Sequence, residues 1–156
     1  MSRVIRTTAL SLMAIGACAL VLLPARGVRS ANVERDDKPA PVEGAWKLTV
    51  SKNGDAQDYQ KPPEGSQMIK YVVGGRFVWT IAREGKLELA AGGKYSVDGD
   101  KYTETIEYTH GEGQSALVGK TFDFTWKMDG GTWLHVGVLK LDGGDVKIDE
   151  KWERCK

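Results

Sequence analysis

The fold is decided by residues 121–154, which read TFDFTWKMDGGTWLHVGVLKLDGGDVKIDEKWER. Gly130-Gly131 and Gly143-Gly144 each separate two runs in which apolar and polar residues alternate, and this pattern is typical of β-hairpins with two-residue loops. A two-residue loop fixes which residues face each other across the hairpin. Both hairpins therefore place the aromatic residues of this stretch on one face and most of its charged residues on the other.

The same two loops also predict individual cross-strand partners. The predicted pairs are Met128 with Trp133, Trp126 with His135, Phe124 with Gly137, Leu139 with Ile148, Gly137 with Glu150, and His135 with Trp152.

Similar turn signals continue towards the N-terminus, at Gly74-Gly75, at Asp98-Gly99 and in a three-residue loop at Glu84-Gly85-Lys86. No stretch keeps a helical apolar period over eleven residues, so helix is a minor component. An up-and-down β-barrel that closes on itself fits eight consecutive antiparallel strands, and an open sandwich is the alternative. The predicted strands are about 45–52, 66–73, 76–83, 87–97, 101–110, 119–129, 132–141 and 145–154.

The predicted inner face is not purely apolar. Buried charges are costly unless they are paired, so these residues either form a structural network or meet water and a ligand. In the predicted registers Glu104 faces Gly93 and Glu150 faces Gly137, which would leave room beside each carboxylate. The polar residues on the inner face are Lys70, Glu104, His135, Glu150 and Arg154, with Tyr95, Tyr102 and Tyr108.

Length and charge limit the function classes. The chain has 156 residues, with 22 Lys and Arg against 21 Asp and Glu. That length fits one ordinary domain, and the charge balance argues against a nucleic-acid-binding protein.

The N-terminus has the pattern of an export signal. Two arginines in residues 1–6 precede an apolar run from Thr8 to Leu23, and we predict a signal peptide over residues 1–30 with cleavage before Ala31. The alternatives are a lipoprotein modified at Cys18 and an uncleaved membrane anchor. The protein would then be secreted or periplasmic, or anchored through this segment.

After cleavage the chain would have 18 basic and 21 acidic side chains, a formal charge of −3 and a single cysteine, Cys155, so no internal disulfide could form. Residues 31–42 are charged and contain prolines, which predicts a flexible linker, and residues 43–156 form the predicted barrel.

One arrangement of residues resembles a known superfamily. Gly44-Ala45-Trp46 opens the first strand and Arg154 closes the last, and this pairing resembles the signature of the lipocalin and fatty-acid-binding superfamily. Further stretches make the set similar to exported bacterial lipocalin-like domains of unknown function, over about residues 43–155. The resemblance implies that Trp46 and Arg154 close one barrel end, with a cation–π contact between them. These stretches are residues 67–70, 92–95, 102–106, 117–120 and 150–154.

The functional hypothesis is a monomeric protein that binds a small molecule inside the barrel, without a cofactor and with no membrane contact beyond the export signal. The alternatives are a ligand-free structural or interaction module and an enzyme that uses Glu104, His135 or Glu150 as acid and base. Two histidines are too few for a multi-histidine metal site, although haem on one histidine, as in nitrobindin-like barrels, is a further alternative. The predicted ligand-binding residues are Lys70, Trp79, Tyr95, Tyr102, Glu104, Tyr108, Trp126, His135 and Glu150.

Overall fold

A computed structural model describes residues 41–156. It contains eight antiparallel strands, each paired with the next, and the last pairs with the first to close a barrel. The predicted signal segment and residues 31–40 of the predicted linker lie outside the described residues. The strands are β1 (Gly44–Ser51), β2 (Ser66–Val73), β3 (Arg76–Arg83), β4 (Lys86–Asp98), β5 (Lys101–His110), β6 (Thr121–Asp129), β7 (Thr132–Leu141) and β8 (Gly144–Arg154).

The predicted all-β class and the closed up-and-down barrel are confirmed, and every strand lies within two residues of its predicted bounds. Alternation of apolar and polar residues is a direct consequence of strand geometry, because successive side chains point to opposite faces. The helical content of the described chain is one short 3₁₀ segment, Gln114–Leu117, in the connection from β5 to β6.

Two of the predicted turns have the predicted register. Val73 pairs with Arg76 around Gly74-Gly75, and Asp129 pairs with Thr132 around Gly130-Gly131. In the second turn both glycines have positive φ, 54° and 91°, which is the backbone that a tight hairpin of this kind requires.

The other three turns differ from the prediction. Asp98 pairs with Lys101, so this turn lies at 99–100, one residue later than predicted. Leu141 pairs with Gly144, so that turn lies at 142–143, one residue earlier than predicted. The glycines with positive φ are Gly99, the first turn residue, and Gly144, which follows its turn. The third turn has two residues, 84–85, instead of three.

Each of the two displaced turns, at 99–100 and 142–143, changes the cross-strand partners by two residues and leaves the inner and outer sets unchanged. Glu104 therefore faces Tyr95 and not Gly93. Glu150 faces His135 directly, and Gly137 faces Ile148.

A β-bulge explains why Tyr108, which was predicted to lie inside the barrel, lies outside it. The register between β4 and β5 shifts between Gly92 and Gly93, which leaves Glu107 without an opposite residue. An extra residue of this kind reverses the alternation beyond it. Tyr108 therefore lies outside the barrel, half exposed, with its hydroxyl over Gly92.

Val42, at the end of the predicted linker, packs against the barrel, and the carbonyl oxygen of the exposed Pro41 accepts a hydrogen bond from Arg154. Val42 is fully buried and belongs to the hydrophobic core. Its carbonyl oxygen accepts a hydrogen bond of 2.7 Å from Trp46 Nε1. These two residues are thus part of one end of the barrel.

Candidate functional site

The antiparallel order gives the barrel two different ends. The turns at 74–75, 99–100 and 130–131 lie at one end, together with residues 41–43 and Arg154, and we call this the closed end. The longer connections 52–65 and 111–120 lie at the other end, which we call the loop end. Inward side chains form three layers between them: aromatic residues at the closed end, charged residues in the middle, and apolar residues around a cavity towards the loop end.

The closed end is built by Trp46 and Arg154, which face each other across β1 and β8. The Arg154 guanidinium carbon lies 4.3 Å from the centroid of the Trp46 ring. Its two terminal nitrogens donate hydrogen bonds to the carbonyl oxygens of Glu43 and Pro41, at 2.8 and 2.9 Å. The guanidinium thus joins the last strand to the segment that precedes the first.

Gly44 is required at this position for two reasons. Its φ of +138° is unfavourable for residues with a side chain, and a Cβ atom there would collide with the Arg154 guanidinium. Arg154 itself is exposed at the barrel end and is not part of the interior charge network that the sequence suggested.

Three fully buried aromatic residues, Tyr102, Trp133 and Trp152, form the aromatic layer. Trp133 packs edge-to-face on both Trp46 and Tyr102, with ring centroids 5.4 and 5.3 Å apart. Such pairs stabilise beyond the area they bury, so this layer is the rigid base of the interior.

The charged layer rests directly on these rings. Lys70 from β2 is 2% exposed, and its Nζ donates a hydrogen bond of 2.8 Å to Glu104 Oε1 on β5. The same Nζ lies 5.2–5.8 Å from the ring centroids of the three aromatic residues. Lys70 is therefore held by one carboxylate and by aromatic faces.

His135 and Glu150 form the second pair in this layer. They face each other across β7 and β8, with His135 Nδ1 3.2 Å from Glu150 Oε2. Trp152 Nε1 donates to the same oxygen at 3.1 Å. A carboxylate can only accept, so Nδ1 carries the proton in this contact, and in the neutral ring Nε2 is then the bare nitrogen. The Lys70 ammonium lies 3.5 Å from the same Nδ1 and, with the proton there, makes no hydrogen bond to it.

The surroundings lower the pKa of both His135 and Glu150. Burial, followed by the nearby Lys70 ammonium, lowers the pKa of His135. Burial acts to raise the pKa of Glu150, but the hydrogen bond from His135, the Lys70 charge and the Trp152 hydrogen bond outweigh it, and the pKa of Glu150 is lowered. A neutral imidazole beside an ionised carboxylate agrees with both shifts.

Three buried polar atoms lack a hydrogen-bond partner within residues 41–156: the Tyr102 hydroxyl, Trp133 Nε1 and His135 Nε2. Burial, then the nearby Glu104 charge, raises the pKa of the Tyr102 phenol, which keeps its proton. The second oxygens of Glu104 and Glu150 accept no hydrogen bond from the described residues either, and they are not among the fully buried atoms. The charged layer therefore has unused hydrogen-bond acceptors.

A cavity of about 270 Å³ lies on the loop-end side of the charged layer. The four charged-layer residues form its polar floor, and the 3₁₀ segment contributes two residues at the loop end. The walls are apolar and aromatic. The lining consists of Lys70, Glu104, His135 and Glu150 with Met68, Trp79, Ile81, Leu89, Ile106, Gln114, Leu117, Phe122, Phe124, Leu139 and Ile148.

The predicted site residues fall into three places. Five line the cavity: Lys70, Trp79, Glu104, His135 and Glu150. Tyr95, Tyr102 and Trp126 lie inside towards the closed end, away from the cavity; Tyr95 donates to Glu43 at 2.7 Å and Trp126 donates to Gly99 O at 3.0 Å. Burial and the hydrogen bond to Glu43 raise the pKa of Tyr95 to about 12. Tyr108 lies outside, because of the bulge.

Much of the cavity wall was not among the predicted ligand-binding residues. Strand alternation already places Leu89, Ile106 and Phe122 on the inner face, so their pattern could have been used to find them. Gln114 and Leu117 come from an irregular connection, whose side-chain directions have no period to follow.

The predicted free space beside Gly93 and Gly137 is not present. A Cβ atom on Gly93 would collide with the Thr105 carbonyl oxygen, and one on Gly137 would lie 2.6 Å from the Phe124 ring. Both glycines allow close packing of strands and rings. The cavity lies further towards the loop end.

Residues 41–156 contain no group of three or more His, Cys, Asp or Glu side chains arranged to hold a metal ion. No helix in the same part of the chain is long and apolar enough to cross a membrane.

No protein-family model matches this sequence, and no curated protein is significantly similar to it. Among solved structures, the chain is similar to an uncharacterized protein from Bacteroides eggerthii, with a TM-score of 0.43 and 14% sequence identity. The match covers 69% of this chain and 98% of that one. The function therefore rests on the geometry of the site itself.

Proposed function

We propose that the protein holds one small organic molecule in the barrel cavity, with the apolar part of the ligand against the walls and a polar group on the charged layer. The observation that supports this most is the polar floor itself. Glu104 and Glu150 are 3% and 6% exposed and line the cavity, yet each has one oxygen that accepts no hydrogen bond within the described residues. A buried acceptor without a partner destabilises a protein, and a ligand donor would remove that cost.

The size and lining of the cavity agree with this proposal. Small-molecule sites are mostly apolar, with a few polar groups that orient the ligand. A cavity of 150 Å³ holds a benzene ring, so about 270 Å³ accommodates roughly ten to fifteen non-hydrogen atoms. This volume is too small for haem, so we do not propose haem binding.

We propose binding and not catalysis. Glu150 Oε2 already accepts hydrogen bonds from His135 and Trp152, so this oxygen is committed to holding the layer together. The proposal includes the export and the lipocalin-like relationship predicted from the sequence. The closed eight-stranded order and the Trp46–Arg154 contact support that relationship.

Native mass spectrometry of the protein purified from its own host tests the proposal. The expected result is an added mass in the range of a small organic molecule. Leu139→Trp fills the cavity and should abolish that mass. Val138→Trp is the matched control. The Val138 side chain, next to Leu139 in β7, is exposed on the outer face, so the added mass should remain. An unliganded wild type that also fails to bind small apolar probes would contradict the proposal.

A further inference from the structure

We propose that the ligand is a small organic cation, an apolar body of about ten non-hydrogen atoms that carries a protonated amine, and that the amine sits on the Glu104–Glu150 side of the charged layer. This inference rests on the proposed function and adds the chemical class of the ligand. Three features of the polar floor support it: its net charge, its unused hydrogen-bonding groups and the position of its single ammonium.

The net charge of the floor is negative. Lys70 supplies one positive charge, and Glu104 and Glu150 supply two negative charges. His135 is uncharged in this arrangement, because full burial and the Lys70 ammonium, 3.5 Å from Nδ1, outweigh the Glu150 carboxylate at 3.2 Å. One negative charge therefore remains uncompensated beneath an apolar cavity. A buried charge of this kind is stabilised by a cation that arrives with the ligand.

The unused groups of the floor are acceptors. Each glutamate has one oxygen that accepts no hydrogen bond from residues 41–156 and is not fully buried. The Lys70 ammonium gives one hydrogen bond to Glu104 and faces three aromatic rings on its closed-end side. An ammonium group brings up to three donors and no acceptor, which matches this set.

An anionic ligand fits the floor poorly. Lys70 is the one cation among the cavity-lining residues of the described chain. It is bound to Glu104 at 2.8 Å on one side and surrounded by three aromatic rings on the closed-end side. A carboxylate that entered the cavity would therefore meet two like charges beside the one ammonium, and like charges in a site of low polarity repel strongly.

The cavity walls suit the apolar part of such a cation. Trp79, Phe122 and Phe124 contribute aromatic surface next to the floor, and the aliphatic residues of the lining lie towards the loop end. An aromatic or branched alkyl body would pack against these side chains while its amine stays within reach of the carboxylates.

Three probes that share a phenylethyl group test the proposal by isothermal titration calorimetry on the full folded protein at neutral pH. They are 2-phenylethylamine, the neutral isostere propylbenzene and the anion 3-phenylpropionate. We expect the amine to bind about tenfold or more tightly than the hydrocarbon, since a hydrogen bond to a charged partner is worth about that factor. The anion should bind more weakly than the hydrocarbon.

Glu150→Gln should reduce the preference for the amine over the hydrocarbon to near unity. Glu153→Gln is the control, because it removes the same charge from an exposed position on β8. Thermal melts confirm that each variant is folded, and the comparison of the three probes on the wild type stands even if Glu150→Gln unfolds.

The outcomes separate the two proposals. Equal binding of the amine and the hydrocarbon, or preference for the anion, would overturn the cationic ligand and leave a small-molecule site. Failure of all three probes to bind, together with an unliganded protein from the host, would overturn the proposed function as well.

Discussion

Arg154 acts at three points at once, because its guanidinium covers the Trp46 ring and donates to two carbonyl oxygens ahead of β1. Those carbonyls belong to Pro41 and Glu43, in a stretch that has no strand partner of its own. Arg154 thus supplies these carbonyl oxygens with the hydrogen bonds that a neighbouring strand would otherwise donate. The energetic consequence is a coupling between the tryptophan and the arginine.

Trp46→Ala is expected to lower the free energy of unfolding by about 3–5 kcal/mol, because a fully buried indole is lost from the core. Arg154→Ala should cost about 1 kcal/mol, since the arginine is exposed. The double variant should lose less than the sum, because each change removes the same contact. Urea melts measure all three values. Strict additivity would show that the ring and the guanidinium do not interact.

Lys70→Met is expected to lower the unfolding free energy by about 3–5 kcal/mol, because Glu104 would remain as a buried charge without its partner. Lys70→Met combined with Glu104→Gln should recover much of that loss, since no unpaired charge remains. Glu150→Gln should cost only about 1 kcal/mol, because its amide oxygen can still accept from Trp152 and the cavity exposes the other side of the group. A double variant as unstable as the sum of its single changes would contradict this account.

At the scale of the strand, the sequence predicts the alternation of side chains better than the register between strands. Alternation placed Lys70, Glu104, His135 and Glu150 on the inner face, and the structure brings these four into one layer. Register depends on which residue of a glycine-rich turn takes the positive φ, and several choices fit the same letters. A slip of two residues keeps each face intact, which is why the interior set was predictable and the partner of Glu150 was not.

The β5 bulge has no local signature in the sequence. Glu107 is pushed outward, where it pairs with Arg76 at 2.6 Å and Lys94 at 3.4 Å, residues from two other strands. These contacts exist only after the barrel has formed, so no pattern within β5 could predict that Tyr108 leaves the interior. The cavity walls from the 3₁₀ segment were unpredictable for the same reason.

Gly137→Ala is expected to destabilise the barrel by about 1–3 kcal/mol, because the new Cβ would press on the Phe124 ring and on the Asp123 carbonyl oxygen, 2.8 Å away. Gly143→Ala is the matched control: a Cβ there meets nothing within 4 Å. Chemical denaturation of both variants measures the difference. Equal stability of the two would mean that the β6–β7 approach is looser than the structure shows.

The short segment before β1 also contributes to stability. A shortened chain that begins at Pro41 should melt at the same temperature as one that begins at Ala31. A chain that begins at Glu43 should melt several degrees lower, because it lacks the buried Val42 side chain and the carbonyl oxygens bound by Trp46 and Arg154. Equal melting temperatures for all three chains would show that the packing of Val42 does not contribute to stability.

At the scale of the whole molecule, the two pKa shifts in the charged layer make stability depend on pH in one direction. The folded pKa of His135 lies below its ordinary value of 6.5, so on acidification the unfolded chain takes up this proton first. The folded pKa of Glu150 lies below 4.5, and the same order of protonation holds for it at lower pH. Because the unfolded state binds more protons in both windows, stability must fall as the pH falls.

The upper window isolates His135. We expect the unfolding free energy of the wild type to decrease between about pH 7.5 and about pH 5.5, with a slope of at most about 1.4 kcal/mol per pH unit for a single group. His135→Gln should flatten this slope whatever its absolute stability, because the glutamine amide can still donate to Glu150 but does not titrate. His110→Gln, at an exposed position at the end of β5, should keep the slope of the wild type. A slope that survives in His135→Gln would mean that another group takes up the proton, and the neutral imidazole at the floor of the cavity would have to be reassigned.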